Sequence, residues 1–168
     1  MIVNSYVHCF RMPIVSVRAN NIYGIRQFPE KIIPRFCMQA LSGERITIHG
    51  NGMNRRRYLA AQDFADAIAL LIQKGQEGTI YNIGSDDEYT NIEIAQMIAR
   101  VAGISFQESV IFLEDRPFND CRYAIDYSRL KALGWKAERP LALNIDGVVQ
   151  WYRDNADRYT SLFRSAAV

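Results

Sequence analysis

Amide and guanidinium side chains follow apolar runs of this sequence, at positions where they could bind a phosphate-bearing ligand. Asn20 and Asn21 come after Ile14–Val17, and Arg116 comes soon after Val110–Leu113. A guanidinium group binds phosphate through two parallel hydrogen bonds, and amides add further donors. Ligands of open α/β sheets bind outside the carboxyl ends of the strands. These polar segments therefore predict a site for a polyanionic ligand.

Each of these features also has a plainer explanation. Asn20 and Asn21 could supply turn conformations in an ordinary strand-to-helix connection. Arg55–Arg57, which follow the glycine-rich turn Gly50–Gly52, could form a phosphate clamp, a nucleic-acid patch or a solvated turn. Arg116 could make a structural ion pair. The residue types alone leave these alternatives open.

Composition argues against several other classes of function. The chain has 168 residues, 49% of them hydrophobic, and a net charge of +2, which gives no global case for binding nucleic acid or an anionic membrane. No apolar run approaches the roughly 20 residues that span a bilayer. His8 and His49 are isolated, the three cysteines are widely spaced, and no Ser-His-Asp, metal-ligand or Walker spacing occurs. We expect reduced thiols, a cytoplasmic location, no metal site and no catalytic residue.

Strands and helices are predicted to alternate along the chain, which indicates an α/β layer fold. Asp63 is expected to cap the N-terminus of a helix that runs to Lys74. Thr90 and Glu93 have the spacing of a capping box at the start of the helix that follows. The expected strands are Ile14–Val17, residues 46–49, Thr79–Gly84 and Val110–Leu113, and the expected helices are Met1–Arg11, residues 34–41, residues 63–74, Thr90–Ala102, Ser128–Leu133 and Leu141–Asp154.

Both ends of the chain are unusual for such a fold. Met1–Arg11 carries apolar residues at helical spacing but has no capping residue before it, so the chain is expected to begin inside a helix–strand unit. The residues after Asn155 are expected to form a frayed tail.

One protein family shows the same motifs in the same order. Arg18–Gly24, followed by Gln27–Pro34, resembles the segment after the sixth strand of nucleotide-sugar 4,6-dehydratases, which are extended short-chain dehydrogenases. The Phe118–Asp120 variant is similar to the eukaryotic UDP-glucose dehydratase and rhamnose-synthase branch. Further matches are Ile48–Gly52, Tyr81–Gly84, Asp115–Asp120, Arg122–Tyr123, Leu133–Trp135 and Trp151–Tyr152. The resemblance implies the end of a Rossmann-type doubly wound sheet followed by a small α/β substrate-binding domain.

The resemblance also implies roles for individual residues. Asn20 corresponds to the asparagine that contacts the substrate diphosphate, and Asn21 to the one near the nicotinamide of NAD. Arg56 corresponds to a diphosphate-binding arginine. The Arg56–Tyr58 triplet departs from the family's usual Arg-Asp-Trp or Arg-Asn-Phe/Ser-Tyr, which leaves open which arginine faces the ligand. The other implied residues of the nucleotide pocket are Lys31, Ile32, Thr47, His49, Asn82, Arg116 and Asn119.

The implied reaction converts NDP-glucose to the 4-keto-6-deoxy sugar and water. NAD takes a hydride from sugar C4, water leaves across C5 and C6, and the hydride returns to C6. The family's Gly-rich NAD loop, its Tyr-x-x-x-Lys pair and its Thr-Asp-Glu group are expected upstream of Met1. We therefore expect residues 1–27 to end a truncated NAD-binding domain, residues 28–155 to bind the nucleotide sugar, and residues 156–168 to form the tail.

Two hypotheses of function follow. In the first, the chain is an incomplete and inactive piece of a dehydratase that would pair with a missing N-terminal half and dimerise when full-length. In the second, it is a stand-alone nucleotide-sugar-binding or partner-binding module. The choice between UDP and dTDP, and between a plain dehydratase and a multifunctional rhamnose synthase, stays open. Because the strand Ile14–Val17 would lack sheet neighbours, the isolated chain is expected to be poorly soluble or oligomeric.

Overall fold

Helices are interspersed with single strands or consecutive pairs of strands along the chain, so the α/β character that the apolar patterning predicts is present. The computed structural model describes residues 2–115, 117–118 and 120–159. Its helices are α1 (Ile2–Phe10), α2 (Ile32–Ser42), α3 (Ala61–Lys74), α4 (Asn91–Ala102), α5 (Phe106–Ser109), α6 (Ser128–Ala132) and α7 (Leu141–Asp154). Its strands are β1 (Ser16–Ala19), β2 (Asn21–Tyr23), β3 (Ile46–His49), β4 (Arg55–Ala60), β5 (Ile80–Ile83), β6 (Glu88–Thr90) and β7 (Val110–Leu113).

The strands pair mainly in parallel, and each parallel pair is joined by a crossover that contains helix. Strand β1 pairs with β5, β2 with β4, and β3 with β7, all in parallel, while β6 adds to β4 in antiparallel fashion. Parallel strands need such long crossovers, so this topology is that of an α/β fold. The predicted α/β class is confirmed.

The segment around the paired asparagines differs from the prediction. The expected strand Ile14–Val17 is displaced to Ser16–Ala19, and Asn21 begins a second strand instead of a polar loop. The backbone amide of Asn20 donates to the Ile83 carbonyl at 3.1 Å, which is the last hydrogen bond of this pairing with β5. From Asn21 onward the chain pairs with β4 instead. Asn20 therefore lies where the chain changes its partner strand.

Two apolar clusters hold these elements together. The first forms where α2, α4 and α7 pack against β3 and β4, and the second lies between α3, β5 and α6. Fully buried members of the first include Ile33, Ile46, Ile94, Ile145 and Tyr152, and members of the second include Leu59, Ala67, Tyr81, Leu130 and Trp135. Strand β4 contributes to both clusters, because successive side chains of a strand point to opposite faces.

Most predicted helix ends are confirmed, and one is wrong. Thr90 and Glu93 form the expected capping box, with the Thr90 amide donating to the Glu93 carboxylate at 2.7 Å and the Glu93 amide donating to Thr90 Oγ1 at 3.1 Å. Helix α3, however, begins at Ala61 with no side-chain cap. Asp63 is buried in its first turn and accepts the backbone amides of Glu138 and Arg139 at 3.1 and 3.0 Å. The tertiary partners outcompete the local cap.

The two ends of the described chain differ in burial. Helix α1 forms as predicted but buries none of its residues, and Ile2 and Phe10 are 77% and 68% exposed. At the other end, Tyr159 is buried against Trp151 and Tyr152, so packed structure continues beyond the predicted end at Asn155. Among the described residues, no helix is both long enough and apolar enough to span a membrane.

Candidate nucleotide pocket

The three consecutive arginines lie in strand β4, not in a solvated turn, and the strand separates them by face. Arg57 forms ion pairs with Asp86 at 2.9 Å and Glu88 at 3.7 Å, and Arg55 lies 3.9 Å from Glu88. Arg56 projects from the opposite face of the strand, towards Asn21. The alternation of the strand thus selects Arg56 as the arginine of the pocket, which agrees with its position in the family motif.

Glu88 also binds the neighbouring segment of chain. Its carboxylate accepts two hydrogen bonds from Arg122 Nε at 2.9 and 3.1 Å. These hydrogen bonds, with the charges of Arg122, Arg57 and Arg55, hold the pKa of Glu88 below its usual range. The carboxylate therefore stays ionised near neutrality and neutralises arginines on the side of β4 that faces away from the pocket.

A cavity of about 170 Å³ lies on the Arg56 side of the strand. Its walls come from the first residue of β2, the N-terminal half of α2, strand β3, the beginning of β4 and the first residue of α4. The lining residues are Asn21, Ile32, Arg35, Phe36, Thr47, Ile48, His49, Arg56 and Asn91. The structure therefore brings together Asn21, Ile32, Thr47, His49 and Arg56 of the residues predicted from the sequence.

Hydrogen bonds to residues behind the cavity wall hold two of the lining residues, Thr47 and His49, in place. The buried Gln39 of α2 donates to Thr47 Oγ1 at 3.0 Å and accepts from the Thr47 amide at 3.2 Å, which ties β3 to the helix. His49 Nδ1 lies 3.3 Å from the Glu114 carbonyl oxygen. These contacts orient both side chains at the pocket wall.

Other predicted residues lie outside this cavity. Lys31 is largely exposed and pairs with Glu30 at 2.9 Å. Asn82 donates to the Asp126 carbonyl at 2.7 Å. Asn20 is buried, and neither polar atom of its side chain has a hydrogen-bond partner among the described residues, which is the state expected of a group that awaits a polar ligand. Arg116 and Asn119 lie outside the described residues.

Two residues of this region were not predicted as ligand contacts. Arg35 lies in the first turn of α2 and lines the cavity, and none of the hydrogen bonds or ion pairs found within the described chain uses its guanidinium group. Tyr123 donates its hydroxyl hydrogen to Asn21 Oδ1 at 3.0 Å, and its ring lies 4.8 Å from Arg56 Cζ. Arg35 has an ordinary helical spacing and carries no signal in the sequence. Tyr123 lies in the Arg122–Tyr123 match to the family, but its contact with Asn21 spans 102 residues and cannot be recognised from that match.

A larger cavity, of about 450 Å³, lies elsewhere and is lined by Asp63, Asp86, Asp87, Lys131, Lys136 and Arg139 among others. All six charged side chains make hydrogen bonds or ion pairs within the protein. Its acids and bases balance, so it offers no excess positive charge to a phosphate. The cavity beside Arg56 is smaller, but its two arginines make it the better site for an anion.

The larger cavity contains a Tyr-x-x-x-Lys spacing, at Tyr127 and Lys131, but this pair does not have the properties of a base. Burial and a hydrogen bond donated to Asp86 at 2.7 Å raise the pKa of Tyr127. Lys131 Nζ lies 4.3 Å from the centre of the tyrosine ring and 3.2 Å from Asp86, and its hydrogen bonds to Tyr127 and Asp86 raise its pKa. A tyrosine acting as general base needs a lowered pKa, so the pair is structural.

The geometry of the smaller cavity supports binding and not bond-breaking chemistry. It combines two guanidinium groups with amide, hydroxyl and imidazole donors against the apolar side chains of Ile32, Phe36 and Ile48. Such a set suits a phosphate group attached to a flat or apolar moiety. Among the described residues, no group of three or more His, Cys, Asp or Glu side chains could hold a metal ion.

Comparison with known proteins assigns the family. The sequence model of the NAD dependent epimerase/dehydratase family matches residues 1–84, which is half of the chain. The chain belongs to this family. Its sequence is 39% identical over 157 residues to the Arabidopsis thaliana trifunctional UDP-glucose 4,6-dehydratase/UDP-4-keto-6-deoxy-D-glucose 3,5-epimerase/UDP-4-keto-L-rhamnose-reductase RHM2, covering 94% of this chain and 24% of that protein. It is 34% identical over 194 residues to dTDP-D-glucose 4,6-dehydratase of Dictyostelium discoideum, covering 96% of this chain and 45% of that one.

Solved structures of dehydratases have the same fold. The structure of DesIV, a dTDP-glucose 4,6-dehydratase from Streptomyces venezuelae with NAD and TYD bound, matches with a TM-score of 0.90 and 31% identity over 96% of this chain and 50% of that one. The Bacillus anthracis dTDP-glucose 4,6-dehydratase in complex with NAD matches with a TM-score of 0.86 and 32% identity, over 94% and 50%. The Rossmann-like extended short-chain dehydrogenase fold is thereby confirmed. The chain spans about half of these structures, and 24% and 45% of the two curated relatives.

Proposed function

We propose that this chain is the nucleotide-sugar-binding part of an NAD-dependent NDP-glucose 4,6-dehydratase, and that it holds UDP-glucose or dTDP-glucose by the diphosphate in the cavity beside Arg56. The complete reaction would convert NDP-glucose to NDP-4-keto-6-deoxyglucose and water. The part of it that falls to these residues is positioning, which can contribute up to roughly 7–11 kcal/mol to catalysis in favourable cases.

The observation that carries the proposal is the separation of the three arginines of β4. Arg55 and Arg57 project from one face of the strand, towards Glu88 and Asp86, and Arg56 projects from the opposite face into a cavity that Arg35 and Asn21 also line. A diphosphate favours such convergent guanidinium and amide donors, because each charge-assisted hydrogen bond is stronger than a neutral one. A cavity of about 170 Å³ is smaller than a typical small-molecule site, so it suits one portion of a nucleotide sugar.

The proposal gives roles to further residues. Thr47, His49 and Ile32 would contact the nucleotide. The side-chain amide of Asn20, which has no hydrogen-bond partner among the described residues, would meet the diphosphate. Asn21 would lie near the nicotinamide. Lys31, Asn82, Arg116 and Asn119 remain proposed contacts on the family resemblance alone.

The described residues do not by themselves fit NAD. A dinucleotide needs a glycine-rich turn that opens a helix, where its pyrophosphate meets free amides. The turn Gly50–Gly52 leads into strand β4 instead. A Cβ added at Gly52 would lie 2.6 Å from Ile92 and 2.9 Å from Ile48, so packing accounts for this glycine. We therefore assign substrate binding to these residues and no step of hydride transfer.

An apolar surface could carry the NAD-binding unit. Helix α1 exposes its apolar side chains, and a groove of about 400 Å³ is lined by Pro13, Val15, Val17, Ile68, Leu71 and Ile72, the last of them 81% exposed. Apolar surface of this kind marks an interaction site. We propose that residues 1–27 complete an NAD-binding domain here, whether that unit belongs to the same polypeptide or to another one. Without it, the chain should self-associate in size-exclusion chromatography.

Titration calorimetry of the chain with UDP-glucose and with dTDP-glucose tests the proposed function. We expect one-to-one binding of at least one of them, and no 4-keto-6-deoxy product when NAD is added. Absence of binding with both nucleotide sugars would refute the substrate-binding role. Formation of product by the chain alone would refute the assignment of positioning without chemistry.

A further inference from the structure

Tyr123 connects two of the residues to which ligand contacts are assigned. Its hydroxyl donates to Asn21 Oδ1 at 3.0 Å, while the face of its ring lies 4.8 Å from Arg56 Cζ. We propose that Tyr123 is a positioning residue of the nucleotide pocket, which seats the Arg56 guanidinium group for the diphosphate and fixes the orientation of the Asn21 amide. This inference rests on the proposed function.

The backbone around Tyr123 is anchored independently of the pocket. The Arg55 amide donates to the Cys121 carbonyl at 2.8 Å, and Arg55 and Arg122 form an isolated parallel bridge. The Arg122 side chain is held by the Glu88 carboxylate. Successive side chains of an extended segment point to opposite sides, so this anchor directs Tyr123 to the Arg56 side of β4. The ring is thus placed before any ligand binds.

The ring restricts Arg56 without neutralising it. An arginine side chain loses rotamer freedom when it is fixed by a ligand, and a guanidinium group held over an aromatic ring has lost part of that freedom in advance. A ring contact does not neutralise a guanidinium charge in the way that an ion pair with a carboxylate does, as at Arg55 and Arg57. Tyr123 therefore preorganises the cation, which favours ligand binding.

The hydroxyl acts on the neighbouring amide. Since Asn21 Oδ1 accepts the hydroxyl hydrogen of Tyr123, the amide NH2 group of Asn21 is turned the other way as a donor. A ligand at this position would therefore meet a donor and not an acceptor. This suits the oxygen of a phosphate or a carbonyl group.

Tyr123 contributes little to the core. Its side chain is 40% exposed, and it belongs to neither of the two apolar clusters. A substitution at this position should leave the fold intact, so a change in ligand affinity can be separated from a loss of stability. Tyr6 of α1, which is 50% exposed and distant in sequence, provides a matched control.

The test measures UDP and uridine affinity for the full chain and for Tyr123→Phe, Tyr123→Leu and Tyr6→Leu. Tyr123→Leu should bind UDP about fivefold more weakly, the factor that follows from a cation–π contact of ~1 kcal/mol. Its affinity for uridine, which has no phosphate, should not change. Tyr123→Phe retains the ring and should bind UDP within about twofold of the parent chain, but its Asn21 side-chain amide signals should shift in NMR spectra.

Each alternative outcome has a distinct meaning. If the parent chain does not bind UDP, the proposed function fails and the inference fails with it. If the parent chain binds UDP and Tyr123→Leu binds it equally well, the inference alone is wrong. Equal losses for UDP and uridine, or losses as large in Tyr123→Phe as in Tyr123→Leu, would also overturn it, because the ring would then not act through the phosphate-binding arginine.

Discussion

Replacement of Arg56 by glutamine is the perturbation that bears most directly on the pocket. The side chain faces the cavity from β4 and is already seated against the Tyr123 ring. Glutamine has a similar length and keeps a donor, but it removes the positive charge and the paired geometry of the guanidinium group. The change therefore isolates the cation while it leaves the strand and its pairing in place.

The expected loss follows from the geometry of the site. Hydrogen bonds to charged groups contribute roughly 1.5–3 kcal/mol each, and the cavity is open to solvent, so a net loss of about 2 kcal/mol is reasonable for Arg56. This corresponds to about 30-fold weaker binding of UDP. Added salt should weaken UDP binding to the parent chain more than to Arg56→Gln, because the variant has lost the charge that salt screens.

Arg55→Gln is the matched control for this experiment. Arg55 precedes Arg56 but projects from the other face of the strand, where its half-exposed side chain lies 3.9 Å from Glu88. Exposed ion pairs contribute about 0–1 kcal/mol, so this variant should keep its fold and bind UDP within about twofold of the parent chain. Titration calorimetry at fixed pH and salt measures both. Equal losses in the two variants, or unchanged binding in Arg56→Gln, would refute the assignment of Arg56 to the ligand.

Three further predictions concern single residues. Arg35→Gln should weaken UDP binding by about fivefold in calorimetry without lowering the thermal midpoint, because the charge faces the cavity and has no partner among the described residues to lose. Thr90→Ala should lower the free energy of unfolding in urea by about 1 kcal/mol through loss of the cap on α4, whereas Thr90→Ser should retain most of it. Arg122 lowers the pKa of Glu88 in the folded state. The ionised Glu88 carboxylate should therefore stabilise the fold fully above the pKa of an unfolded glutamate, about 4.3. This stabilisation should be lost as the pH falls through the lower pKa of the folded state. The urea midpoint should thus fall on acidification, and Glu88→Gln should show a smaller fall.

Much of the secondary structure could be predicted from the sequence, because its signals are local. Helix α7 has the predicted bounds Leu141–Asp154, and the capping box at Thr90 and Glu93 forms as expected. Apolar periodicity and capping residues act within a few positions of the chain, so they can be recognised without knowledge of tertiary contacts.

The wrong predictions have tertiary causes. Asp63 has a suitable residue type for a helix cap, but it binds amides 75 and 76 residues away instead. Asn20 and Asn21 have the composition of a turn, but the chain pairs first with β5 and then with β4, which makes Asn21 part of a strand. Long-range pairing of this kind overrides local preference.

The candidate site could be predicted in part. Five of its lining residues are ones for which the family resemblance implies a ligand contact, and strand alternation then separates Arg56 from its neighbours. Arg35 lies outside the family motifs, and the Arg122–Tyr123 match does not reveal which residues Tyr123 contacts, because only the folded chain brings α2 and the segment at Arg122 next to β4.

The central claim is that this chain binds a nucleotide diphosphate in the cavity beside Arg56. An NMR titration of the isotope-labelled chain with UDP-glucose and dTDP-glucose tests it most directly. We predict that at least one of them produces saturable shifts concentrated at Asn21, Thr47, His49 and Arg56. Shifts centred on Asp86 and Lys131 of the larger cavity, or no saturable shifts with either nucleotide sugar, would contradict it.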